Sequence, residues 1–261
     1  GSYDVSPFPG LLNTGSLFFG RTEWHRGGTD AEKRVAFWSE KGLERETAQE
    51  WTHKESEGSR EPFIKTYREG GMTLMKWGKG TLLFRHAPLG LANTYGHGHA
   101  DALSVILSWG DVPVLIDLGS GQYNGDQAIR NYFRSTIAHN TIELGGTDQA
   151  TMLGPFMWDK SYNTTLLGSG ESPNLFAEAS HNGYEDTLST THTRRVEWIA
   201  PTLVQMWDSF RGPRGIPLRG GFHLGPSCTR VSFEKGLIEA DFGSFILSID
   251  VPHRFSISVF H

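Results

Sequence analysis

The sequence predicts an all-β protein, a large antiparallel β-sandwich with one or two short helices and an N-terminal irregular arm. Three observations indicate this fold class. The 261 residues include 32 glycines and 12 prolines, which divide the chain into short segments. Aromatic residues make up 12% of the chain, a content that favours strands over long helices. Short apolar runs recur at regular intervals between Gly, Asn and Asp turns, as is typical of sandwiches and barrels.

Residues 1–62 predict a connecting arm rather than a domain. Residues 3–29 are rich in Gly, Pro and aromatic side chains, and residues 44–61 are charged and poor in aliphatic ones. One short helix is expected at 30–38, because an aspartate stands at its capping position. This stretch has little core of its own and suggests the end of a preceding domain. The sandwich is therefore expected to occupy residues 63–261.

The pattern changes at residue 63 to short strands separated by turns. Two strands at 63–68 and 72–77 flank a double-glycine turn, which predicts a hairpin. One interior helix is expected at 127–133. Further strands are expected at 81–85, 103–109, 112–117, 140–144, 164–168, 175–180, 191–199, 202–210, 219–224, 229–234, 236–241, 244–250 and 254–260.

Composition excludes several classes of function. The formal net charge of −5 disfavours nucleic acid as a partner, since nucleic-acid binders usually carry a basic face. No apolar run reaches the roughly 20 residues of a membrane helix, so no membrane partner is expected. The single Cys228 excludes an intramolecular disulfide. An anionic ligand would therefore need a local cluster of positive charge or a metal.

Three side chains form a candidate metal site within segments that are otherwise apolar or rich in glycine. They are His99, Asp117 and His139. Two imidazoles and one carboxylate leave one position open on a tetrahedral Zn²⁺, although this ligand set also suits Mn²⁺. The alternative is that the histidines are ordinary hydrogen-bonded residues and that Asp117 is a turn residue at a strand end.

His97 is a candidate catalytic residue because it precedes His99 by two positions. On a strand this spacing places both imidazoles on one face. A neutral imidazole with a pKa near ~6.5 is a suitable proton acceptor at neutral pH. The alternatives are a further metal ligand or a surface histidine.

Four more side chains are candidates for binding substrate. Arg134 shares a helix face with Arg130 and would clamp a carboxylate or sulfate, with salt bridges as the alternative. Tyr123 and Tyr132 would donate protons or stack on sugar rings, or pack in the core instead. Asn140 would bind a carboxylate through its amide, or cap a turn.

These residues lie in a pattern that resembles the heparinase II/III-like polysaccharide lyases over about residues 63–250. The longest matching segment reads Gly-His-Gly-His-Ala-Asp-Ala-Leu-Ser at 96–104. In that family an N-terminal (α/α) toroid precedes a C-terminal antiparallel β-sandwich (supersandwich), and this chain resembles only the second. The resemblance continues in Tyr132-Phe133-Arg134-Ser135-Thr136 and in Ala138-His139-Asn140-Thr141.

The resemblance implies roles for four residues. His97 matches the catalytic histidine that faces the uronate, and His99, Asp117 and His139 match the zinc ligands, so one Zn²⁺ is expected. The implied substrate is an anionic polysaccharide or oligosaccharide with uronic acid, such as heparan sulfate, heparin or alginate, cleaved by β-elimination.

The resemblance also implies what this chain lacks. The family's acid tyrosine comes from the toroid, so the missing toroid is an expected partner and the chain alone is expected to be inactive or weak. Family members are typically bacterial and periplasmic or secreted. The alternative function is a non-catalytic carbohydrate-binding or structural sandwich with a stabilising metal.

Overall fold

The strands form several antiparallel sheets in a computed structural model that describes residues 61–91, 93–121 and 124–251. The described residues fall within one structural unit, Glu57–His261. The helix expected at 30–38 and the strand expected at 254–260 lie outside the described residues. The same holds for all of the expected arm except its last two residues.

Sixteen strands and two short α-helices make up the described part of the chain, with a 3-10 turn at Thr136–Ala138. The helices are α1 (Gln127–Arg134) and α2 (Glu185–Leu188). The strands are β1 (Phe63–Tyr67), β2 (Met72–Trp77), β3 (Gly80–Arg85), β4 (Val105–Trp109), β5 (Val112–Leu115), β6 (Ile142–Leu144), β7 (Met152–Leu153), β8 (Met157–Trp158), β9 (Thr164–Gly170), β10 (Leu175–Tyr184), β11 (Thr190–Ala200), β12 (Leu203–Arg211), β13 (Leu218–Gly220), β14 (Arg230–Glu234), β15 (Leu237–Asp241) and β16 (Ile246–Asp250).

The predicted all-β sandwich is confirmed, although several strands are shorter than expected. The strands expected at 103–109, 112–117 and 140–144 are observed at Val105–Trp109, Val112–Leu115 and Ile142–Leu144. The strand expected at 219–224 ends at Gly220, because the main chain of His223 turns to other partners. Its N–H donates to the side chain of Asn140, and its carbonyl accepts from Ile116. The β7–β8 hairpin and α2 were not predicted, since they are too short to show a hydrophobic period.

Two sheets face each other and enclose the main core. One sheet contains β1 to β5 in sequence order, and the other has the order β12-β11-β10-β9. Alternation along the strands buries one side chain in two. Met75, Leu82 and Phe84 of the first sheet belong to the same buried cluster as Val196 and Trp198 of the second. The segment between β3 and β4 contributes further buried residues to this cluster, which anchors that segment to the core.

A smaller core lies beside the end of the first sheet. Strands β14, β15 and β16 form a three-stranded sheet whose Ala240 is fully buried. Ala240 and Phe242 pack with Val114 of β5, and the rings of Phe242 and Phe245 stack at 5.0 Å. Neither helix of the described chain has the length and apolar character that a bilayer-spanning helix needs.

Gly80 permits a close approach between the two main sheets. A Cβ at this position would lie 2.4 Å from Cζ2 of Trp198, well inside van der Waals contact. Trp198 is 1% exposed, so its indole has little room to move away. The absent side chain at the start of β3 is therefore what lets the indole fill the core.

Gly80→Ala is expected to lower the free energy of unfolding by about 1–3 kcal/mol, because the methyl group would overpack the core against Trp198. Gly70→Ala is the matched control, since a Cβ there would meet nothing closer than 3.7 Å. Denaturant unfolding of both variants provides the measurement. Equal stability of the two variants would contradict this packing.

Candidate functional site

The loop that carries His97 and His99 has an unusual main chain. It lies between β3 and β4, and four of its non-glycine residues have positive φ angles: Asn93 at 75°, Tyr95 at 53°, His97 at 61° and Leu103 at 61°. Left-handed conformations cost roughly 1–2 kcal/mol for an L-residue other than glycine. The surrounding structure must therefore hold this loop in place.

Two buried aromatic side chains hold that loop by hydrogen bonds to its carbonyls. The indole N–H of Trp158 donates to the carbonyl of Gly98 at 3.0 Å, and the hydroxyl of Tyr162 donates to the carbonyl of His99 at 3.2 Å. The main-chain N–H of Trp158 also donates to the carbonyl of Thr94. Trp158 is 3% exposed, so its indole belongs to the core while its N–H positions the loop.

His99, Asp117 and His139 come together although they are on three separate segments. Their potential ligand atoms all lie within 4.8 Å of one another. Nδ1 of His139 is 2.6 Å from Oδ2 of Asp117, and the two imidazole centroids are 5.2 Å apart. Within the described ranges, this is the one group of three or more His, Cys, Asp or Glu side chains placed to hold a metal ion.

The three side chains fit a metal ion in two respects. First, Nε2 of the fully buried His139 has no hydrogen-bond partner within the described part of the chain, and such an isolated polar atom costs free energy. A bound cation is one partner that would remove this cost. Second, two imidazoles and a carboxylate are the donor set of open zinc sites. His97 is exposed on the same loop, two residues before His99.

The protonation states at neutral pH are also those that bind metals. Burial lowers the pKa of His99, and the nearby His139 lowers it further. Burial alone would raise the pKa of Asp117, but the hydrogen bond from His139 and its charge outweigh this effect and leave the pKa lowered. His99 is therefore neutral and Asp117 ionised at pH 7, as metal coordination requires.

Comparison with models of known protein families shows to which family the chain belongs. The model of the family described as "Heparinase II/III-like, C-terminal" matches residues 60–253. The chain belongs to the heparinase II/III-like family. The matched region is the family's C-terminal domain, as the resemblance in the 96–104 segment predicts. A search of curated protein sequences gives no match.

Solved structures share the fold of this heparinase II/III-like chain. Heparan sulfate lyase HepC from Pedobacter heparinus aligns with a TM-score of 0.57 at 16% identity, over 88% of this chain and 31% of its own. A structure of heparinase III aligns with a TM-score of 0.55 at 19% identity, over 69% of this chain and 28% of its own. The chain thus spans about a third of the length of these structures, and at such identities the likeness concerns the fold.

In this heparinase II/III-like domain, two of the side chains expected to bind substrate are buried and hydrogen-bonded to other parts of the chain. The first is Asn140. Asn140 is 2% exposed and its amide is occupied: it donates to the carbonyls of Val105 and Ile116 and accepts from the N–H of His223. The substrate-binding role expected for Asn140 does not fit this burial. Asn140 instead joins three separate segments of main chain.

Arg134 is also turned away from solvent. Together with Arg130 it lies on the face of α1 that holds the turn between β7 and β8. Arg130 donates to the carbonyl of Pro155 at 2.7 Å, and Arg134 donates to the carbonyls of Gly154 and Met157. The shared helix face is confirmed, but the guanidinium of Arg134 is buried, so the expected clamp on a carboxylate or sulfate does not fit it.

Of the two tyrosines expected to bind substrate, the structure describes only Tyr132. Tyr132 is 47% exposed on α1, and its ring meets Phe133 edge to face. This exposure leaves its predicted contact with a sugar ring open. Tyr123 lies outside the described residues.

The sequence analysis did not identify a buried polar group that lies behind the candidate metal ligands. Thr190, His192 and Arg194 point inward from β11, on the same face as Val196 and Trp198. The sequence does contain a signal for this buried group. The alternation along β11 places a histidine and an arginine at core positions, where such side chains are rare unless they are paired.

Trp158→Phe is expected to lower the free energy of unfolding by about 1–3 kcal/mol, because the carbonyl of Gly98 would lose its buried donor. Trp207→Phe is the control, since Trp207 is 44% exposed and its loss should change stability by less than about 0.5 kcal/mol. Chemical denaturation measures both. A Trp158→Phe protein as stable as the control would show that the indole hydrogen bond does not hold the loop.

Proposed function

We propose that this chain is the zinc-bearing sandwich half of a polysaccharide lyase that cleaves uronic-acid polysaccharides by β-elimination. The observation that carries the proposal is the convergence of His99, Asp117 and His139 beside the exposed His97, in a chain of the heparinase II/III-like family. A periplasmic or secreted location is proposed on the same family analogy.

The choice of substrate class follows from charge and family. One of the solved relatives is a heparan sulfate lyase, and heparan sulfate contains uronic acid. A chain with a formal charge of −5 has no general attraction for such a polyanion, so positive charge must be supplied locally. When bound by the three ligands, Zn²⁺ would add positive potential beside His97 and fix the loop that carries it.

His97 is the proposed base in the elimination. Its neutral imidazole would take the proton from C5 of the uronate. The electron pair of that C–H bond then forms the C4=C5 double bond as the bond from C4 to the leaving oxygen breaks. That oxygen takes a proton from an acid, which we assign to the toroid domain. Tyr132, exposed on α1, is a proposed sugar contact.

The surroundings of Arg134 and Asn140 favour a second candidate function. Both were expected to bind the anionic substrate, yet both are buried and bonded to main-chain carbonyls. A sandwich without a polar clamp of its own would suit a structural or carbohydrate-binding module that keeps the metal for stability. The two candidates differ in what the loss of His97 should do.

The proposed metal site predicts that the purified wild-type protein contains about one zinc per chain. Elemental mass spectrometry measures this content. His99→Ala should lose most of this zinc, because two of three ligands hold the ion poorly. His97→Ala is the matched control on the same loop and should retain it. A well-folded wild type without metal after zinc is supplied would rule the site out.

His97→Ala, made in the protein extended to its toroid domain, is expected to lower turnover of a polyuronate by about 10²–10⁴-fold, because the proposed base is removed. Ultraviolet absorbance of the unsaturated product measures the rate. Zinc content and melting temperature should stay at the wild-type values.

Unchanged turnover in that variant would favour the non-catalytic candidate. The present chain without the toroid is expected to show little activity, because it lacks the acid. Robust turnover by the present chain would contradict the assignment of the acid to the toroid.

A further inference from the structure

A buried ion pair lies directly behind the proposed metal ligands. Arg194 of β11 is 2% exposed and stands opposite Asp208 in the register of β11 and β12. Its Nε donates to Oδ1 of Asp208 at 2.8 Å, and its Nη2 donates to Oδ2 at 2.9 Å. This two-point contact fixes the plane of the guanidinium.

The other side of the Arg194 guanidinium forms hydrogen bonds to two of the segments that carry the proposed metal ligands. Nη1 of Arg194 donates to the carbonyl of Leu103 at 2.9 Å and to the carbonyl of Asn140 at 2.7 Å. Leu103 is four residues after His99 and has a φ of 61°, so its main chain depends on outside support. Asn140 directly follows His139 in the chain.

The third ligand segment is reached through the side chain of Asn140. Its amide donates to the carbonyl of Ile116 at 2.9 Å, and Ile116 directly precedes Asp117. Arg194 therefore contacts main chain near two ligands and, through Asn140, main chain next to the third.

Asp208 is itself held by a chain of buried imidazoles. The N–H of Gly183 donates to Nδ1 of His181, so the ring proton of His181 is on Nε2. That proton is donated to Nδ1 of His192 at 3.1 Å, which leaves Nε2 of His192 to donate to Asp208 at 2.6 Å. Each imidazole nitrogen is thus satisfied with both rings neutral, and the carboxylate has one fixed orientation.

We propose that Arg194, oriented by Asp208, is the positioning residue that sets the relative placement of the three metal ligands. The inference rests on the proposed metal site and deepens it. A purely structural ion pair would affect the stability of the sandwich alone. A positioning residue would change how tightly and in what geometry the metal is held, in a protein that still folds.

The test compares metal affinity and ligand geometry in folded variants. Arg194→Lys keeps the charge but cannot make the forked contacts, and Asp208→Asn keeps the size but removes the charge that orients Arg194. We expect zinc affinity, measured by competition with a chelating dye, to fall by about 10–100-fold in both variants. The visible absorption bands of the Co²⁺-substituted protein should change in position and intensity.

Arg195→Lys is the matched control on the same strand. Arg195 points to the other face, where it bonds Glu178 and Glu197 and lies 4.1 Å over the ring of Phe176. Its replacement should leave both the zinc affinity and the Co²⁺ spectrum as in the wild type. Circular dichroism and melting curves establish that each variant is folded.

The outcomes separate the two proposals. Wild-type zinc affinity and Co²⁺ spectrum in folded Arg194→Lys and Asp208→Asn would overturn the positioning role and leave the metal site standing. Absence of zinc binding in both the wild type and Arg195→Lys would overturn the metal site and the inference together. Should Arg194→Lys not fold, Asp208→Asn decides by the same two readouts.

Discussion

The site depends on one constraint: buried main chain that belongs to no strand or helix still needs partners for its N–H and C=O groups. The segments around His99 and His139 contain buried main chain of this kind, whereas Asp117 itself is exposed. Side chains supply the missing hydrogen bonds. Around Ala102 alone, Gln149 accepts from the N–H at 2.8 Å, and both Gln149 and Thr141 donate to the carbonyl.

This constraint explains why the core behind the ligands is polar. A core of aliphatic side chains alone would leave those carbonyls and N–H groups unpaired, at a cost of about 1–3 kcal/mol for each. Arg194 donates to two carbonyls at once, but burying its charge requires Asp208, whose Oδ1 also accepts a hydrogen bond from His192. Burial holds the pKa of His192 below its usual value, so the imidazole remains neutral in this network. Each buried polar side chain therefore requires the next one as its hydrogen-bond partner.

The same constraint accounts for the surroundings of Asn140 and Arg134. Asn140 and Arg134 carry amide and guanidinium groups that suit a carboxylate or sulfate, and Asn140 directly follows the candidate metal ligand His139. In the structure these groups donate to main-chain carbonyls of neighbouring segments. A polar side chain near a candidate site can hydrogen-bond to irregular main chain as well as to a ligand. The sequence shows only which polar group is present and not which of the two it contacts.

The sequence by itself determined the sandwich, the bounds of most strands, α1 and the grouping of His99, Asp117 and His139. It could do so because alternating side chains and glycine turns are local signals, and because the 96–104 segment is a long motif. Tertiary structure alone decided that Asn140 and Arg134 point inward, that Trp158 holds the loop of His97, and that Arg194 meets Leu103 and Asn140. These contacts join residues up to 91 positions apart, and such pairings have no local periodicity to reveal them.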